Sequence, residues 1–213
     1  MTKDLLKGVS LHKNAGIRIQ KSRTIYFDPF LLDENRKDAD FIFISHSHDD
    51  HLDTDSIKNI VREDTVLVAP ENCIEALKTA GFGNTLGVLP SKSYEAAGLK
   101  FRTVPMYNIG KKFHKKENDW VGYIVYIDDA AYYFAGDTDL IPEMEEIQAD
   151  VAFLPVGGTY TMTADEAVRA AGIIKPRIAV PMHYADVAGT KEDAEYFIKN
   201  LDPAIESAVI KGR

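Results

Sequence analysis

Short apolar runs, many of them alternating or β-branched, recur along the chain and predict strands at 16–20, 24–27, 41–44, 66–69, 99–104, 121–127, 131–135, 151–154 and 178–180. Apolar positions at helical spacing predict helices over 55–62, 71–80, 164–174 and 191–200, the second closed by Gly81. The third opens on Thr163-Ala164-Asp165-Glu166, a capping box in which Thr163 and Glu166 satisfy free backbone donors. The runs 121–127 and 131–135, separated by Asp128-Asp129-Ala130, read as an antiparallel hairpin. Strands and helices interleave, a pattern that suits sheets covered by helices.

The polar segments at the ends of the apolar runs are more telling. The run Phe41-Ile42-Phe43-Ile44 leads into Ser-His-Ser-His-Asp-Asp-His, Tyr132-Tyr133-Phe134-Ala135 into Gly-Asp-Thr-Asp, Ala152-Phe153-Leu154 into Pro-Val-Gly-Gly-Thr-Tyr, and Ile178-Ala179-Val180 into Pro-Met-His-Tyr. If these four strand ends share one edge of the sheets, their loops converge on a single site, as ligand loops do at the carboxyl ends of strands in open α/β sheets.

Composition narrows the class. With 213 residues, 45% hydrophobic and 27% charged, the chain suits one globular domain over 1–213 with a sizeable core, and no linker or internal repeat divides it. A net charge of −8 argues against general electrostatic binding of nucleic acid or anionic lipid. Cys73 has no internal partner for a disulfide, the first residues carry no apolar leader, and no apolar run approaches the ~20 residues needed to cross a bilayer, so a cytoplasmic protein without a membrane span is expected. Of six histidines, three (His46, His48 and His51) fall within six consecutive residues.

That cluster, His46-Ser47-His48-Asp49-Asp50-His51, directly succeeds a buried-type strand. Imidazole and carboxylate suit zinc and its neighbours, and so many donors in so short a segment cannot all face one ion. On an extended turn His46 and His48 alternate to the same side and can chelate one ion, while Asp50 and His51 reach a second. The competing reading is a solvated loop that caps the next helix.

His46-x-His48-x-Asp50-His51 resembles the HxHxDH motif of the metallo-β-lactamase superfamily, and Gly136-Asp137-Thr138 and Pro181-Met182-His183-Tyr184 resemble its later ligand motifs in the same order. The resemblance runs from Tyr26-Phe27-Asp28-Pro29-Phe30 to His183. It is closest to small metal-dependent hydrolases related to the ascorbate-6-phosphate lactonase group, through Val156-Gly-Gly-Thr-Tyr-Thr-Met162 and Pro181-Met-His-Tyr184. It implies a four-layer αβ/βα sandwich with the metals at one edge of the two sheets. It also implies that His46 and His48 bind a first metal and Asp50, His51 and His183 a second, with Asp137 bridging. The metals it implies are two divalent ions, zinc foremost and manganese as the alternative.

One ligand departs from the family pattern. The mid-chain turn that usually carries a third histidine for the first metal reads Pro105-Met106-Tyr107-Asn108 here. Either His114 reaches in from the next loop, or Asn108 or water completes a weaker site. Asp28 resembles the strand-end aspartate that orients a ligand histidine, against the alternative of a turn-forming Asp-Pro. Gly157-Gly158 either admits a substrate backbone or simply turns the chain. Tyr160 and Tyr184 either donate to a developing oxyanion or pack the wall. Lys111, Lys112, Lys115 and Lys116 either attract an anionic substrate or form a solvated face, and His12 reads as structural.

The activity implied by the resemblance is hydrolysis of an ester, lactone or phosphodiester bond in a small molecule by a metal-activated water, with Asp50 and His51 as the catalytic pair. A nuclease or RNA-processing phosphodiesterase of the same superfamily is the alternative within the fold, set back by the net charge. A metal-containing binding or sensing module without turnover is the alternative outside enzymology. The expected partner is a small-molecule substrate, anionic if the lysine run attracts it, with neither membrane nor nucleic acid; association with further copies of the chain is left open.

Overall fold

The computed structural model describes residues 4–210. Two mixed sheets form its middle layers. The first has strand order β1-β2-β3-β4-β5-β6, built from Val9–Leu11, Ile17–Gln20, Thr24–Phe27, Phe41–Phe43, Val66–Pro70 and Thr85–Val88. Its first three strands form an antiparallel meander, and β3 to β6 run parallel. The second has order β13-β12-β11-β10-β9-β8-β7, built from Glu206–Ser207, Ile178–Met182, Val151–Pro155, Ala130–Phe134, Val121–Ile127, Leu99–Pro105 and Ser93–Ala96. Here β7 to β10 are antiparallel and β10 to β13 parallel.

Alternation along the strands assigns the layers. Ile25, Phe27, Phe41, Phe43 and Val68 belong to the core between the sheets. Tyr26, Ile42, Ile44, Leu67 and Ala69 point the other way, into a second cluster with α1 (Thr54–Ile60) and α2 (Ile74–Thr79). Helices α3 (Ala164–Ile174) and α4 (Lys191–Asn200) cover the opposite sheet, where Ala167, Ala170 and Ala171 allow close approach. The order is therefore helices, sheet, sheet, helices, as the motif resemblance implies.

Aromatic side chains fill the space between the sheets. Phe27 stacks on Phe134 at 4.9 Å between ring centroids, and Phe43 meets Tyr123 and Phe101 edge-on at 4.9 and 5.1 Å. Two hydrogen bonds cross the interface just below one edge: Tyr123 donates its hydroxyl to Ile44 O at 2.7 Å, and Val121 N donates to Ser45 O at 3.2 Å. They lock the end of β4, where the histidine cluster begins, to β9 of the other sheet.

The nine expected strands and four helices are present within a residue or two, and the differences have local causes. Residues 71–80 divide into a 3-10 turn, Glu71–Cys73, and α2. The hairpin turn is tighter than expected, because Asp128 and Asp129 both take left-handed φ values (49° and 61°) and Ala130 already pairs with Ile127. Four short strands, β1, β6, β7 and β13, were not expected. Residues Thr85–Val88 are interrupted by glycine, Ser93–Ala96 is polar on every other position, and the other two are only three and two residues long.

The inter-sheet aromatics supply the main cohesion, so Phe43→Ala is expected to lower stability by about 3–5 kcal/mol through lost burial and a residual cavity. Urea denaturation checks this, as a lowered midpoint at unchanged slope.

Candidate metal centre

Four strand ends do meet at one edge. Residues 46–51 come after β4, Asp137 after β10, Gly157 after β11 and His183 after β12; the loop after β8 brings His114 to the same edge. Asp28 directly follows β3 and Asn14 lies between β1 and β2. Asn14, Asp28 and His183 all adopt left-handed φ values (55°, 40° and 55°), uncommon for non-glycine residues and costly enough to occur mainly where the surrounding fold holds them.

Donor atoms cluster in overlapping groups. Ligand atoms of His46, His48 and His114 lie within 4.8 Å of one another, as do those of Asp50, His51 and His183. Asp137 sits between the groups, with Oδ2 3.6 Å from His114 Nε2, 3.3 Å from His51 Nε2 and 3.1 Å from His183 Nε2. Asp50 Oδ2 is 3.2 Å from His51 Nε2 and 3.9 Å from His183 Nε2. His114 thus stands within reach of His46 and His48, and Asn108 orients it: the Asn108 Oδ1 lies 3.0 Å from His114 Nδ1 and accepts from His114 N. Asn108 Nδ2 in turn donates to Asp139 Oδ1 and Tyr160 O.

Asp28 is fully buried beneath this cluster. It accepts from Ser45 N at 2.7 Å and from the Ser45 hydroxyl, and its Oδ2 lies 2.7 Å from His51 Nδ1, which leaves His51 Nε2 facing the other donors. Ser45, a residue that the sequence did not single out, also places its Oγ 2.8 Å from His46 Nδ1. Trp120, the only tryptophan, packs its ring against His46, His48 and His114 at 4.9, 5.0 and 5.6 Å. Neither residue sits in a recognisable motif, and both become apparent only once the sheets are docked.

The electrostatics suit a cation. Burial pushes His114 down to about 4 and also lowers His46 and His48, so these imidazoles are neutral at pH 7. Burial opposes charge on His51, but the Asp137 and Asp28 carboxylates outweigh it and hold its pKa well above the usual imidazole range. Burial likewise opposes ionisation of Asp137, yet His183 and His51 keep it well below the carboxylate range. Burial alone prevails at Asp28, whose pKa is raised. His51 Nε2, His114 Nε2, His183 Nε2 and Asp137 Oδ1 are buried without any hydrogen-bond partner. Such orphaned atoms are costly unless something satisfies them, and a divalent cation among them would do so. The residues present therefore fit a metal centre.

Other residues take quieter places. Gly157 has no room for a side chain, since a Cβ there would come within 2.5 Å of His183 O; it serves the close packing of the His183 turn. Tyr160 is half-buried with its ring edge-on to Phe113 at 4.7 Å, and half-buried Tyr184 packs against the inter-sheet core. Lys111 donates to Asp139 at 2.7 Å and to Thr161 O, and Lys116 donates to Glu143 at 2.8 Å, so both hold the 106–120 loop rather than standing free. His12 lies outside the cluster, 6.4 Å from the Tyr26 ring. Among the described residues no helix is long and apolar enough to cross a membrane.

Comparison with known proteins agrees with this architecture. A family profile described as a beta-lactamase superfamily domain matches residues 11–183. A UPF0173 metal-dependent hydrolase of Pyrococcus horikoshii is 33% identical over 214 residues, covering 93% of both chains, and one of Thermococcus onnurineus is 30% identical over 210 residues with the same coverage. Among solved structures, a protein of Parabacteroides distasonis proposed as a metal-dependent hydrolase superposes with a TM-score of 0.80 at 30% identity, covering 96% of this chain and 93% of its own. The Igni18 metallo hydrolase of Ignicoccus hospitalis shares the fold, with a TM-score of 0.78 at 24% identity over 95% of this chain and 94% of its own. The chain belongs to the beta-lactamase superfamily, has the metallo-β-lactamase fold and groups with the UPF0173 proteins.

A cation on His51 Nε2 must displace the proton that the raised pKa keeps there at neutral pH. Zinc binding is therefore expected to release protons, with apparent affinity rising with pH. Isothermal titration in two buffers of different ionisation enthalpy reads this; heats independent of the buffer would remove His51 from the ligand set.

Proposed function

We propose that the protein is a metal-dependent hydrolase, with His46, His48 and His114 as ligands of one divalent ion, Asp50, His51 and His183 as ligands of another, and Asp137 shared between them. The observation that supports this best is the set of buried, partnerless nitrogen and oxygen atoms on four of these residues, all turned to one sheet edge. The names of the relatives point the same way. Ions held there would supply an acidified water nucleophile and would stabilise negative charge developing on the attacked group. The ligand chemistry favours zinc, with manganese the alternative.

The chain's own groups then divide the work. Asp28 holds His51 by Nδ1 and fixes the direction of Nε2. Asn108 does the same for His114. Asp50 is half-exposed where His51 and Asp137 are buried, so it is the carboxylate of the cluster with access both to the ligand atoms and to solvent. Burial raises its pKa, but the His51 imidazole 3.2 Å away outweighs burial and keeps it ionised, a state suited to accepting a proton from the nucleophile. The substrate is a small molecule with an ester, lactone or phosphodiester bond. Because Lys111 and Lys116 are already paired, an anionic group would have to be met by Lys112 and Lys115, which are exposed.

Purified protein reconstituted with zinc or manganese is expected to turn over at least one member of an ester, lactone and phosphodiester panel that includes RNA. Asp50→Asn is expected to cut turnover by about 10²–10⁴-fold and to weaken metal binding, and His51→Ala to lose both metal and activity. Steady-state kinetics with elemental analysis of each variant checks this; activity retained in both variants would place the chemistry elsewhere, and cleavage confined to RNA would favour the nuclease.

A further inference from the structure

Asp50 receives its hydrogen bond from a residue outside every motif in the sequence. Asn14, in the turn between β1 and β2, donates from Nδ2 to Asp50 Oδ2 at 2.8 Å and is only 2% exposed. Its main chain reaches the opposite side of the cluster: His183 N donates to Asn14 O at 3.0 Å, and Asn14 N donates to Asp186 Oδ2 at 2.8 Å. One residue thus touches the 46–51 segment of the first sheet and the His183 turn of the second. Its left-handed φ suits asparagine better than most side chains. The carboxylate dictates which way the amide faces, since Oδ1 against Asp50 would repel; Oδ1 is left buried without a partner.

We propose that Asn14 is the positioning residue for the Asp50 half of the centre, an inference that rests on the metal-binding reading above. Its amide holds the half-exposed Asp50 carboxylate toward His51 and His183, and its carbonyl fixes the His183 turn against that carboxylate. The oxygen it grips, Asp50 Oδ2, is the one that lies 3.2 Å from His51 Nε2. A neutral donor is the appropriate choice there. Lysine or arginine would bring a positive charge that competes with a cation, whereas an amide aligns the carboxylate and leaves its charge intact.

Asn14→Gly tests this, because glycine accepts the positive φ and keeps both main-chain hydrogen bonds while deleting the amide. Asn14→Ser, polar but too short to reach Asp50, provides a second variant and decides by the same criteria if the first does not fold. The readouts are zinc affinity by competition with a chromophoric chelator, the visible absorption of the cobalt-loaded protein, and the thermal midpoint of the metal-free protein. The expected result is a 10–100-fold loss of zinc affinity and shifted cobalt bands, with metal-free midpoints within a few degrees of the parent. Affinity within twofold of the parent and superimposable cobalt spectra would overturn the proposal, and so would a lowered midpoint with binding unchanged, which marks a merely structural residue. A parent protein that binds neither zinc nor cobalt would overturn the metal-binding reading and this inference together.

Discussion

A carboxylate in the dry interior is the constraint on which the rest of this molecule depends. Asp28 is fully buried and would be prohibitively costly as a bare charge, but Ser45 N, the Ser45 hydroxyl and His51 between them supply the partners it needs. In taking them it joins the ends of β3 and β4 and sets the direction of His51. From His51 the arrangement spreads outward, through Asp137 to His183 and His114, and through Asp50 to Asn14.

Holding so many polar atoms at one edge requires rigidity from below. The stacked aromatics between the sheets, the Tyr123 hydroxyl on Ile44 O and the bond from Val121 to Ser45 fix the two sheets to each other immediately beneath the cluster. Three residues around the site sit in left-handed backbone conformations, and Gly157 is packed too closely to His183 for any side chain. Strain of this kind persists only where the surroundings over-determine it. The core of the sandwich provides that support, and the loops carry the chemistry.

How much of this could be read from the sequence depends on the range of each interaction. The strands that line the core were legible because their apolar content is dense, as in Phe41–Phe43 and Val121–Ile127. The edge strands were not, since Ser93–Ala96 and Thr85–Val88 owe their conformation to a neighbour rather than to their own composition. The His46–His51 segment announced itself by local density, and Asp137 and His183 through short motifs. His114 was ambiguous because its placement depends on Asn108 and on the ion pairs of Lys111 and Lys116, which hold its loop closed. Ser45, Trp120 and Asn14 carry no sequence pattern at all, since each acts across a tertiary contact.

The donors of the candidate centre come from strand ends of both sheets, so the full set exists only after the sheets have docked. An unfolded chain offers a cation little beyond the 46–51 segment. Any ion that engages the whole cluster therefore selects the native state, adding stability that grows with the free ion concentration, about 2.7 kcal/mol at a hundredfold excess over the dissociation constant. The lifetime of the folded chain against proteolysis then becomes a gauge of metal supply, set by the solution around it as much as by its own sequence.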